Sequence, residues 1–301
     1  MKIYLIRHAE TVHNVTRAWA GTTDSNLTNH GTLQIECLAQ SFASNMIYFE
    51  SVFASDLTRA RLTAEGICRH QPSGEDSALL TPTLTADLRE RDFGSLEGTR
   101  WRKNFPSTEN NTNPPSDIAP SGHVEIESSA SMKRRATSFL NSHVLPLLFD
   151  DTRTRGTIAI VSHGVLLRVL WACLVELFDS MSISIEPGIY VRHEGLASQL
   201  VPSWSNTGYM SLSIHSHPLP PPLPPRQGSP SQISTTTSQE QPDTSTPVQS
   251  KTVSNALLHG WSMKILAVNN KEHLSGLRRA GGGIGSVSHD TRQKRIDHFF
   301  G

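Results

Sequence analysis

Along the first 180 residues, short apolar runs alternate with longer stretches whose apolar positions recur every three or four residues. The short runs are Ile3–Ile6, Ser51–Ala54 and Thr157–Val161, the last rich in β-branched residues and bounded by Gly156 and Ser162. Unbroken runs of this length predict strands covered on both faces. Residues 31–45, 56–70 and 131–149 carry helical spacing. Further on, Tyr209–Ile214 and Trp261–Val268 alternate apolar and polar positions as strands do. Buried strands alternating with helices predict an α/β protein, a three-layer α/β/α sandwich around a mostly parallel central sheet.

Between the last two strand signals the composition changes. Residues 217–250 hold 9 of the 18 prolines, with few apolar residues to offset the entropy of ordering them. The segment is expected to be a disordered insert joining two neighbouring strands of one domain. The expected organisation is therefore a core at 1–216, the insert at 217–250, and a last strand with closing segment of the same domain at 251–280. A glycine-rich linker and a C-terminal peptide follow at 281–301, the stretch Gly281–Ser288 tethering the tail. No internal repeat is visible.

The chain is long enough to bury a sizeable core. Its 27 Lys+Arg balance its 27 Asp+Glu, which argues against direct nucleic-acid binding by bulk charge. The balance is uneven along the chain. Residues 251–301 hold eight Lys/Arg and three Asp/Glu, a net of +5 that leaves −5 for the first 250. Cys37, Cys68 and Cys173 are too few and too scattered for a disulfide framework or a zinc site, which points to a reducing compartment. Only four consecutive apolar residues precede Arg7, too few for a signal peptide. The longest apolar run, Val165–Phe178, is interrupted by Arg168 and Glu176 and cannot span a bilayer. The expectation is a soluble, cytoplasmic protein with no membrane partner.

Three predicted strands run directly into cationic or titratable residues. The first leads into Arg7-His8-Ala9-Glu10-Thr11 and the third into Ser162-His163-Gly164. The second leads into Ser55-Asp56-Leu57-Thr58-Arg59, where Ser55 or Asp56 is expected to cap a helix that presents Arg59 in its first turn. A single histidine at a strand end is ordinarily packed or solvated. Two histidines and two arginines at one sheet edge form a cationic pocket that destabilises the fold unless an anion fills it. Arginine forks match the multi-oxygen geometry of phosphate.

The blocks LIRHAET, SDLTRARLTAE, LRERDFGSLEG and VSHG stand in the order and approximate spacing of the histidine phosphatase superfamily, the phosphoglycerate-mutase-like proteins. The chain resembles this family over about residues 1–180 and in its predicted last strands up to residue 274. The resemblance implies that His8 takes the phosphoryl group on a ring nitrogen, while Arg7, Arg59 and His163 bind the phosphate oxygens. It implies Glu90 as general acid/base and Asn14 as a phosphate contact. No metal and no cofactor are required, because the arginines supply the positive charge.

The residues themselves keep alternatives open. Glu90 sits among Arg89, Arg91 and Asp92, which also fits a surface ion-pair cluster, with Glu97 as another acid. Asn14 also fits a cap or turn. His13, five residues after His8, lacks the spacing and the carboxylate of a helical metal pair. Gly94 and Gly98 read as turn glycines rather than a phosphate cradle.

The implied activity is a metal-independent phosphomonoesterase, with a phosphoglycerate-type mutase as the alternative. A mutase keeps water out with a long basic cover. Here about thirty residues separate Gly98 from the helix at Ser131, and Pro106–Ser116 is polar and turn-rich. Arg100, Arg102 and Lys103 fit either a second anion contact or a solvated helix face.

Two peptide signals point to partners. Gln293, Ile296, Phe299 and Phe300 in the tail resemble the PIP box by which proteins bind the DNA sliding clamp, the apolar side chains forming a plug on a 3₁₀ turn. Docking of these residues on the protein's own core is the alternative, and clamp binding implies visits to the nucleus. Pro221–Arg226 matches a P-x-x-P-x-R ligand of SH3 domains.

Overall fold

The computed structural model describes residues 1–72, 79–101, 126–150, 156–189, 195–216 and 257–290. The insert, the SH3-type peptide Pro221–Arg226, Arg102 and Lys103, and the tail residues Gln293, Ile296, Phe299 and Phe300 lie outside them.

The apolar runs become strands. β1 (Lys2–Arg7), β2 (Ser51–Ser55), β3 (Thr83–Thr85), β4 (Thr157–Ser162), β5 (Ile183–Ile185), β6 (Tyr209–Ser216) and β7 (Trp261–Asn270) form one seven-stranded sheet, ordered β3-β2-β4-β1-β6-β7-β5. Every pairing is parallel except the two made by β6, so the sheet is mostly parallel as the sequence predicts. The helices are α1 (Val12–Thr16), α2 (Asn29–Ser44), α3 (Thr58–Arg69), α4 (Ser129–Phe139), α5 (Leu145–Phe149) and α6 (Gly164–Val175). A π-helical turn at Leu140–Val144 joins α4 to α5, so the helical pattern at 131–149 is one rod with a local widening.

The strand residues show why the runs are unbroken. Ile3 and Leu5 of β1 and Ile158 and Ile160 of β4 enter one core with residues of α4, α5 and α6. Their alternates Tyr4, Ile6, Ala159 and Val161 enter a second core with residues of α2 and α3. Each face of the sheet is covered, which makes three layers.

Four elements depart from the sequence reading. β3 and β5 are three residues each and carry no readable alternation. α6 is apolar almost all round because both its flanks are packed, so it shows no clear period. The N-cap of α3 is Leu57, not Ser55 or Asp56. Asp24 supplies the missing acceptor from another loop, taking the Thr58 N–H at 2.9 Å, while Asp56 binds both forks of Arg89. No helix among the described residues is long and apolar enough to cross a membrane.

Beyond β7 the chain returns over the start of α2. Arg279 pairs with the buried Glu10, and Ser288 bridges to Thr28. His289 N–H donates to the Leu27 carbonyl at 2.8 Å. Residues up to Asp290 are thus held on the body of the domain.

Candidate functional site

The site follows from strand register. β1 and β4 are parallel neighbours with Arg7 opposite Ser162, so the next residues, His8 and His163, emerge side by side at the carboxyl edge. Their ring centroids are 5.0 Å apart. Ligand sites of open α/β sheets gather at this edge. α3 brings Arg59 to the same place, where it is almost completely buried at 1% exposure. β6 runs antiparallel, so the loop before it also reaches this edge.

His8 is 4% exposed, and its Nδ1 lies 2.7 Å from the Ala9 carbonyl. A carbonyl only accepts, so Nδ1 carries the proton and Nε2 keeps its lone pair. His163 has the opposite tautomer. Its Nδ1 accepts from Arg59 Nε at 3.2 Å, so its proton is on Nε2. Burial first, then the charges of Arg59 and Arg7, push His8 well below the ordinary histidine value, and the Ala9 carbonyl only partly opposes this. Burial followed by Arg59 does the same to His163. Both rings are neutral near pH 7.

Arg59 also donates to the carbonyls of Thr23, at 2.9 Å, and Gly21, at 2.6 Å. Burial pushes its guanidinium down to about 10, against the opposing charge of Glu90. Arg7 donates from one terminal nitrogen to the Trp204 carbonyl at 2.8 Å, and burial lowers it as well. Arg7 Nε and His163 Nε2 are buried donors without a hydrogen-bond partner among the described residues. Leaving such donors unmet is costly, and two of them beside one histidine form a place for an anion.

Glu90 turns away from its charged neighbours. Arg89 pairs with Asp56, and Arg91 Nε donates to the Glu127 carbonyl at 2.8 Å. The Glu90 carboxylate meets the start of α6, Oε2 accepting from Val165 N–H and Oε1 from Leu166 N–H, both at 3.1 Å. Oε1 also accepts from the Arg91 N–H. Of about four lone-pair positions, one remains on Oε2. Ser162 Oγ donates to the Leu88 carbonyl at 2.8 Å, and Arg135 donates to the carbonyls of Asp87 and Arg89 at 2.9 and 3.0 Å, which fixes the segment carrying Glu90.

Glu97, the other acid, is fully engaged. Its two oxygens accept from the backbone and hydroxyl groups of Thr22 and Thr23 and from the Phe93 N–H. Burial would raise this carboxyl, but those bonds, the Thr23 hydroxyl foremost, hold it below the ordinary range. Asn14 is both a cap and a pocket residue. Its Oδ1 accepts from Thr11 N–H and Asn206 Nδ2, so its amide nitrogen is the end able to donate into the cavity. His13 is turned to Ser25, 2.7 Å away.

Arg7, His8, Asn14, Arg59 and Glu90 line one cavity of about 280 Å³. Residues that carry no signal in the sequence brace it. Trp204 anchors Arg7, Asn206 Nδ2 donates to the His8 carbonyl at 3.0 Å, and Thr207 N–H donates to the Arg7 carbonyl at 3.0 Å. Trp19, Phe93, Trp101 and Arg168 line the same space. Arg100 is exposed and does not line it.

Residues 3–186 match the family model of the Histidine phosphatase superfamily (branch 1). A probable phosphatase of Schizosaccharomyces pombe is 30% identical over 212 residues, which is 70% of this chain and 64% of that protein. The chain therefore spans just under two thirds of that relative's length. A 2,3-bisphosphoglycerate-dependent phosphoglycerate mutase of Beijerinckia indica is 24% identical over 219 residues, 67% of this chain and 95% of the mutase. Among solved structures, mycobacterial hydrolase 1 has the same fold, with a TM-score of 0.51 at 20% identity over 73% of this chain and 92% of that one.

Proposed function

This chain belongs to the histidine phosphatase superfamily, and we propose that it is a phosphomonoesterase that works without a metal through a phosphohistidine on His8. The observation that carries this reading is the pair of buried donors without a partner among the described residues, Arg7 Nε and His163 Nε2, beside a neutral His8 whose Nε2 lone pair no described residue engages.

In the proposed reaction the His8 Nε2 lone pair attacks phosphorus as the ester P–O bond breaks. Glu90, in its acid form, gives its proton to the departing alkoxide through the open position on Oε2. Arg7, Arg59, His163 and the Asn14 amide hold the three phosphoryl oxygens and the charge that builds on them. Water then attacks the phosphohistidine while Glu90 takes its proton. The P–N bond breaks, His8 recovers its lone pair, and alcohol and inorganic phosphate are the products. The charge a metal would otherwise supply comes from two arginines.

A mutase would return the phosphoryl group to a bound sugar acid from the same floor. The polar, turn-rich sequence at 106–116 favours hydrolysis, because a mutase has to exclude water for the lifetime of its intermediate. The test is a panel of small phosphomonoesters, with a mutase assay on 3-phosphoglycerate, run on wild type and His8→Ala. Wild type should hydrolyse esters, form an acid-labile phosphoenzyme, survive chelator and be inhibited by vanadate. His8→Ala should lose turnover by at least about 10³-fold. Near-normal turnover in that variant would overturn the assignment.

A further inference from the structure

The inner end of the cavity suits phosphate, but its outer wall has a different chemistry. Trp19, Phe93 and Trp101 make that wall, and they are held in place. The rings of Trp19 and Phe93 are 4.3 Å apart, and the Arg91 guanidinium lies 5.8 Å from the Phe93 ring centroid. The two segments that carry the aromatics are zipped together by backbone bonds. Trp19 N–H donates to Thr99 at 2.9 Å, Gly98 N–H to Trp19 at 2.7 Å, and Trp101 N–H to Arg17 at 2.9 Å. Trp101 is nevertheless 37% exposed and Trp19 partly so. Rigid indoles left partly in water around a cavity are a stacking surface for a ligand ring.

Among the described residues, Arg168 is the cation that lines the cavity beside these aromatics. Arg168 lies one turn along α6 from Gly164, on the same helix face, and both line the cavity. It is exposed and makes no hydrogen bond or ion pair with another described residue. The arginines of the floor, by contrast, are tied to carbonyls or to His163.

We propose that Trp19, Phe93, Trp101 and Arg168 form a leaving-group subsite that selects small phosphomonoesters whose alcohol carries an aromatic ring and a second anionic group. The ring stacks on the aromatic wall and the anion meets Arg168. A volume of about 280 Å³ suits a single-ring compound. The inference rests on the phosphatase reading above and adds a substrate class to it.

Three esters of primary alcohols test it, because their leaving groups need similar proton delivery: propyl, benzyl and 4-carboxybenzyl phosphate. Wild type should prefer benzyl over propyl phosphate in kcat/KM by roughly tenfold, the worth of an aromatic contact. The 4-carboxyl group should add about three- to fivefold, the range of one solvent-accessible ion pair. In Arg168→Ala the carboxybenzyl-to-benzyl ratio should fall to near one, and Arg168→Lys should keep part of it. Trp19→Ala should lower the benzyl-to-propyl ratio, and Trp101→Ala, a change at an exposed position, should do the same if the first variant folds poorly. Equal kcat/KM for all three esters would overturn the subsite and leave the His8 chemistry standing. No hydrolysis of any of them, with no phosphoenzyme formed, would overturn the phosphatase reading and the subsite with it.

Discussion

The floor of the cavity and its loop wall are built on opposite rules. On the floor, His8, His163 and Arg59 come from the ends of β1 and β4 and from the first turn of α3, and Arg7 Nε and His163 Nε2 are donors that no described residue meets. In the wall, residues 17–23 and 93–101 are joined by backbone bonds, and Glu97 has its oxygens filled by Thr22, Thr23 and Phe93. Unmet groups destabilise the apo protein and are ready for a ligand, whereas filled groups stabilise it and do no chemistry. The same count separates the two acids. Glu97 has no room for a proton in transit, while Glu90, with three donors, keeps a position open.

Arg59 is where the two regions meet, since it holds His163 and also the carbonyls of Gly21 and Thr23. Arg59→Ala should give the largest effect short of removing His8. Loss of a transition-state donor alone costs about 10²–10³-fold, and release of the loop adds to it. Steady-state kinetics on benzyl phosphate measures this, and a loss under tenfold would mean that the floor works without it. Glu90→Gln should follow, with about 10²-fold lost on alkyl phosphates. The loss should be much smaller on 4-nitrophenyl phosphate, whose leaving group needs no proton. Equal losses on both would make Glu90 a helix cap and nothing more.

The same division explains what the sequence could reveal. β1, β2 and β4 declare themselves as apolar runs, and the residues just after them are therefore found: Arg7, His8 and His163. Arg59 is found with them, although its helix is capped from Asp24, a residue far along the chain that no local pattern indicates. The short edge strands β3 and β5 are too brief for any period to show. Trp204, Asn206 and Thr207 lie almost 200 residues from the strand they brace, in a loop that reads as an ordinary turn. The antiparallel direction of β6 puts that loop at the carboxyl edge of β1 and β4. Arg168 shows in the sequence only as an interruption in an apolar run, because a helix packed on both flanks hides which side faces a cavity.

Acidity probes the floor further. The unfolded chain takes up protons on its histidines as pH falls through about 6.5. Folded His8 and His163 do not, since burial and the nearby arginines hold both well below that value. The unfolded state then binds more protons than the folded one, so stability is full above about pH 6.5 and declines as pH drops toward the folded values. His273, pushed down to about 4 by burial, acts in the same sense between those limits. Thermal melts between pH 7 and 5 should show a steady fall, at most about 1.4 kcal/mol per pH unit for each fully buried ring. Inorganic phosphate should offset part of it by occupying the floor. A flat profile would mean that the rings are hydrated or already charged.

The finest test lies in the wall, where Gly98 and Gly21, both with left-handed backbone, carry different surroundings. Gly98 has φ near 80° and open space around the position of a Cβ, so Gly98→Ala bears the cost of the backbone alone, about 1 kcal/mol. Gly21 has φ near 54°, and a Cβ there would fall 1.8 Å from Glu97 Oε1. A free glutamate would swing aside at little cost, but this one is pinned by the donors of Thr22, Thr23 and Phe93. Gly21→Ala should therefore cost roughly 1–2 kcal/mol more than Gly98→Ala, the price of breaking one or two of those bonds. It should also loosen the Gly21 and Thr23 carbonyls that hold Arg59, raising KM a few-fold where Gly98→Ala leaves it near wild type. Chemical denaturation of the two variants measures the difference. Equal costs would show that Glu97 yields freely, and the wall would then be a flexible cover rather than the rigid frame on which the stacking surface depends.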